Sequence, residues 1–170
     1  MKIFVLLFAI VLPCLVLASD RSPYVGEELR HIASLSQSEI ESLRRGDGMG
    51  FAKLAELNHF PGPKHVLDIA EQLSMSPSQV EATKQLYLEM KKKAVSLGEE
   101  LLAAELFLDK TFKDGSVTRQ SLENALMDIG STRSQLRYAH LEAHLRQKQI
   151  LSPEQISKYD AIRGYRVSEQ

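Results

Sequence analysis

The sequence predicts an all-α protein: a long antiparallel helical hairpin, cradle-like, with short capped helices at its ends. Three observations predict it. First, one short pattern recurs three times, as Leu35-Ser36-Gln37-Ser38-Glu39-Ile40, Met75-Ser76-Pro77-Ser78-Gln79-Val80 and Leu151-Ser152-Pro153-Glu154-Gln155-Ile156. Second, two long stretches carry apolar or small residues in unbroken 3–4 spacing, the period of a helix face. Third, no stretch carries a strand signal.

The recurring pattern has the physics of a helix start. The hydroxyls of Ser36, Ser76 and Ser152 can accept from a free N–H of the first turn. Glu39, Gln79 and Gln155, three residues on, can reach back to the serine N–H. Pro77 and Pro153 stand at the first helical position, where a missing N–H costs nothing. The pairs Leu35/Ile40, Met75/Val80 and Leu151/Ile156 form the two ends of a hydrophobic staple.

Along the chain, residues 1–18 read as an export signal. Lys2 supplies the positive start, Ile3 to Leu17 is apolar apart from Pro13, and Val16-Leu17-Ala18 offers a small-residue cleavage pattern. The apolar run is shorter than the ~20 residues of a membrane span, so no transmembrane anchor is expected after cleavage. Residues 19–35 form an arm or short helix, and 36–170 a single helical domain. Within it the first capped helix runs from Gln37 to Arg45 and stops at Gly46-Asp47-Gly48. A second is expected over Met49 to Asn58, with Phe51, Leu54, Ala55 and Leu57 inward. Pro61-Gly62-Pro63 breaks it, and Lys64 to Leu73 follows.

The core is the hairpin. Val80, Thr83, Tyr87, Met90, Ala94, Leu97, Leu101, Ala104, Leu108 and Thr111 make a seam over a helix from Pro77 to Phe112. Asp114-Gly115-Ser116 turns the chain, and Thr118 caps a return helix reaching Gln149. Its seam is Leu122, Ala125, Ile129, Thr132, Leu136, Ala139, Ala143 and Ile150, with Arg146 as the one polar member. A short turn between long helices makes them antiparallel neighbours. A last helix runs from Pro153 to Ile162 and closes at Gly164.

Composition narrows the chemistry. The one cysteine, Cys14, lies in the export signal, so the exported chain has no disulfide, thiolate metal site or thiol nucleophile. The net charge is −1 for the full chain, which argues against nucleic acid as a partner. No nucleophile elbow, P-loop or dinucleotide-binding fingerprint is present, and the chain reads as a non-enzyme needing no cofactor. The sharpest chemical feature is His140 and His144. Their i,i+4 spacing points two imidazoles the same way, as a divalent metal such as zinc, nickel or copper would require. The hairpin register sets His140 opposite Lys91 and His144 opposite Tyr87, with Glu89 and Met90 within the same turns as further donors. The structural alternative is a helix edge with both rings hydrogen-bonded or solvated. Lys91, Lys92, Arg133 and Arg137 flank the seams, and such a surface can hold an unfolded, partly acidic polypeptide.

The motifs Met75-Ser76-Pro77-Ser78-Gln79 and Leu151-Ser152-Pro153-Glu154-Gln155, with the stretch to Tyr159, Arg163, Gly164 and Tyr165, resemble the LTxxQ pattern of the Spy/CpxP periplasmic proteins. Ser replaces Thr in both, and Met75 replaces the first Leu. The resemblance implies a curved helical-hairpin cradle in the periplasm, assembling as a homodimer. It implies ATP-independent binding of unfolded envelope proteins, inhibition of a sensor kinase through its periplasmic domain, or heavy-metal sensing and resistance. In the metal branch, histidines and a methionine on the long helices form the site. His140 and His144 match its return-helix part; the paired histidines near the start of the exported chain have no counterpart beyond the single His31.

Overall fold

A computed structural model describes residues 21–165; the expected export signal lies outside them. The described chain holds six α-helices and no strand. They are α1 (Gln37–Arg45), α2 (Lys53–Glu56), α3 (Pro63–Asp68), α4 (Pro77–Lys113), α5 (Arg119–Ile150) and α6 (Pro153–Arg163). In the arm, one 3-10 turn covers Glu27–Leu29.

All three recurring motifs start helices as capping boxes. Ser36, Ser76 and Ser152 each accept from the N–H of the third helical residue, and Glu39, Gln79 and Gln155 each accept from the serine N–H. Gly46 and Gly164 end α1 and α6 in the left-handed conformation, at φ 60° and 72°, where glycine meets no Cβ penalty.

The hairpin is formed by α4 and α5, which run side by side through the turn at Asp114 to Thr118. At 37 residues, α4 is about 55 Å long. Two cores sit on it. In one, Ile32 and Leu35 of the arm and Ile40 and Leu43 of α1 bury against Ala94, Leu97, Leu101, Leu102, Leu136 and Ala139. In the other, at the open end, Val66, Leu73, Leu151 and Tyr159 pack together, with Ile69, Met75 and Ile156 around them. The apolar seams carry the first; the second is built from α3, the turns after it, Leu151 and α6.

The open end is held by the second and third capping boxes. Gln79 Nε2 donates to Gln155 Oε1 (2.8 Å) and to the Ile150 carbonyl (2.8 Å). Gln155 Nε2 donates back to Gln79 Oε1 (3.1 Å) and to the Leu73 carbonyl (3.3 Å). Each amide oxygen also accepts its own serine N–H, at 3.0 and 2.9 Å. Both donors and both acceptor sites of each amide are therefore used. One pair of side chains ties two helix starts to each other and to the ends of the preceding segments.

Three sequence expectations need correction. The helix expected over Met49 to Asn58 is a single turn, Lys53–Glu56. Met49 and Gly50 take positive φ, which no helix continues through, and Leu54 and Leu57 are exposed. The helix expected to reach Leu73 ends at Asp68; turns follow, with Ser74 at φ 52°. Third, Arg146 leaves the seam for the surface, and Gln147 takes the buried place. Its Nε2 donates to Thr83 Oγ1 across the helices at 3.1 Å, so the polar pair meets within the seam.

Candidate functional groove

One face of the hairpin is covered by α1 to α3, and a groove of about 650 Å³ lies between that cover and the long helices. Its helical side is Tyr87, Met90 and Lys91 of α4 with His140 and His144 of α5. The opposing side comes from the glycine-rich loop after α1, from α2, and from Gly62 to His65 at the start of α3. Arg163 and Tyr165 close one end.

Both histidines are buried, at 3% and 7% exposure, so neither ring is solvated, while His144 makes the hydrogen bond that the structural alternative allowed. His140 stacks on Phe51, ring centroids 5.8 Å apart and planes at 18°, and its Nε2 has no hydrogen-bond partner. Burial, then the neighbouring His144 and Lys91, push the His140 pKa down to about 4, so the ring is neutral at ordinary pH. His144 Nδ1 lies 2.8 Å from the Phe60 carbonyl. A carbonyl can only accept, so Nδ1 carries a proton and donates, and in the neutral ring Nε2 is the nitrogen with the lone pair. A Cβ at Gly62 would stand 2.8 Å from both His144 Cε1 and Glu56 Oε1. Only glycine leaves that gap open.

Glu56 is fixed by Tyr159, whose hydroxyl donates to both carboxylate oxygens at 3.0 and 2.8 Å. Burial and the Glu56 charge hold that phenol well above its usual range. Asp47 faces Lys91 at 3.5 Å. His65 is pushed down by burial and by Arg163.

The expected site residues divide. His140, His144, Met90 and Lys91 share the groove. Glu89 does not line it and pairs with Arg146 at 3.0 Å. Lys92, Arg133 and Arg137 are exposed and lie outside it. Glu56 and Tyr159, 103 residues apart, carried no spacing signal. Neither did His59 Nδ1 and the buried Asp160 Oδ2, paired at 2.7 Å. Among the described residues no group of three or more His, Cys, Asp or Glu is placed to hold a metal ion. The His140 and His144 imidazoles share the groove with the Met90 thioether, His65 and the Asp47 and Glu56 carboxylates, a mixed donor set that selects no one metal.

Comparison of the chain with protein-family models, with curated proteins and with solved structures finds no match.

Proposed function

We propose that the protein is a periplasmic envelope-stress protein of the Spy/CpxP type, binding unfolded or misfolded polypeptides without ATP and without a catalytic step. The observation that carries the reading is the surface of the long helices. Phe107, Phe112, Leu126 and Met127 are each more than half exposed there, and Lys92, Arg133 and Arg137 lie exposed on the same two helices. Large apolar side chains left in water on an elongated frame mark an interaction surface, and cations on the same helices favour acidic chain segments.

The test is suppression of client aggregation by the exported chain from residue 19. Suppression is expected at molar excess over several unrelated clients, weakening as salt screens the basic part. No suppression of any client overturns the reading. A single saturable partner captured from an envelope extract would instead assign an inhibitory subunit of a sensor kinase.

A second reading, metal sensing or buffering, is favoured by the free Nε2 of His144 beside His140 and Met90 in one groove. When bound, the metal would supply a reversible cross-link between the helices and nothing catalytic. The residues hold it only through unprotonated ring nitrogens, so protons compete with the metal and binding should weaken as pH falls. Zinc, nickel and copper titrations of the parent and of the His140→Ala/His144→Ala double variant decide it. Saturable binding by the parent alone is expected; equal binding by both removes these histidines from the site.

A further inference from the structure

The groove differs from the outer face of the hairpin in its unmet polar groups. The N–H groups of Gly48, Met49 and Gly50 have no acceptor among the described residues, and all three residues line the groove. Two of them are glycines, so a ligand can approach the backbone closely. Successive free N–H groups in such a turn form an anion-binding concavity.

Charge points the same way. Four cations line the groove, Lys53, Lys64, Lys91 and Arg163, against two carboxylates, Asp47 and Glu56. Both carboxylates are engaged: Asp47 by Arg45 and Lys91, Glu56 by the Tyr159 hydroxyl. Lys64 pairs with Asp68 at 3.3 Å, but Lys53 makes no ion pair among the described residues, and Arg163 meets Tyr165, at 3.4 Å from its hydroxyl and 5.8 Å from its ring centre. The groove is left with uncompensated positive charge. At its edge Met49 and Leu57 are 41% and 54% exposed, apolar surface beside an anion site. At its floor His140 Nε2 is a further polar atom with its hydrogen bond unmade.

We propose that this groove holds an acidic side chain of a bound polypeptide, an Asp or Glu flanked by apolar residues. Its carboxylate is met by Lys53, Arg163 and the free N–H groups of residues 48–50, and its apolar neighbours by Met49 and Leu57. The proposal rests on the polypeptide-binding reading above and places the acid-selective part of it. The exposed aromatic and aliphatic residues farther along the hairpin then supply further apolar contact.

Fluorescence anisotropy of two labelled peptides tests it, one carrying a central Asp-Glu between Leu and Val residues, the other Asn-Gln in its place. The parent should bind the acidic peptide about tenfold more tightly, the scale of a charge-assisted contact. Lys53→Glu/Arg163→Glu should abolish that preference, and Lys84→Glu/Lys158→Glu, at exposed positions outside the groove, should retain it, with circular dichroism confirming that both variants fold. Equal affinity of the parent for the two peptides overturns the proposal, as does an equal loss in both variants. Aggregation suppression by the parent separates the two failures. If it persists while the peptide preference is absent, the groove assignment alone fails; if it is absent too, the polypeptide-binding reading fails with it.

Discussion

Alanine at Gly98 is expected to destabilise the fold, and alanine at Gly130 to stabilise it. Both glycines lie inside long helices, where alanine is intrinsically favoured by about 1 kcal/mol. What differs is the surroundings. A Cβ on Gly98 would press into the Leu43 carbonyl, inside van der Waals contact with its oxygen and 3.0 Å from its carbon. These are backbone atoms of α1, and the same oxygen accepts the Gly46 N–H that ends that helix. The clash can be relieved only by moving α1 off the hairpin, which opens the core it shares with Leu97 and Leu101. Overpacking of this kind costs about 1–3 kcal/mol, and loss of α1 packing adds to it. A net loss of roughly 2 kcal/mol would lower Tm by about 4–8 °C at this chain length. Gly130 has nothing within 4 Å of its Cβ position, so its alanine variant should melt higher. Thermal melts of the two variants decide it; Gly98→Ala melting at or above the parent would show that α1 does not pack there.

Acidification between pH 7.5 and 5 is expected to weaken the fold through His140. Its folded pKa is lowered from 6.5 to about 4, so between those values the unfolded chain binds the proton and the folded chain does not. Stability therefore rises with pH across that window and is lost as pH falls through it. By pH 5 the loss from this one group is about 2 kcal/mol. His65, also lowered, acts in the same direction. The carboxylate of Glu39, held low by its Ser36 hydrogen bonds, loses its contribution only as pH falls further. Urea melts at several pH values, run in chelator, should show a steeper decline for the parent than for His140→Gln. Parallel declines would mean that His140 is not held neutral by its surroundings.

The hairpin and its caps were legible because their signals are local. A capping box spans four residues, and the seams repeat every three or four, so each is complete within one stretch of chain. The errors fall where backbone conformation overrides composition. Met49 to Asn58 has a helical apolar pattern, but the positive φ at Met49 and Gly50 belongs to a turn that closes over the histidines. Arg146 has the right spacing for the seam, yet Gln147 can complete a buried hydrogen bond with Thr83 and a guanidinium cannot end there without a counter-charge. The groove was half visible. The i,i+4 histidines and the facing turns of α4 followed from register. Its other side, with Glu56, Gly62 and Lys53, depends on how three irregular segments fold back, and no spacing encodes that.

The placement of the two cores has a mechanical consequence. The open end of the hairpin is clamped by the glutamine pair and the Tyr159 cluster, and its middle is braced by α1. The arm hydrogen-bonds α4 at Glu105 and Asp109. Beyond these, on toward the turn, Ala125 is the one fully buried apolar residue among those described. The protein is thus a cantilever, stiff at its root and compliant at its free end. A sideways load at Phe107 or Phe112 is taken up by bending two helices, with no need to break a packed layer. Contacts made near the tip can adapt to many shapes, while the groove near the root keeps a fixed geometry.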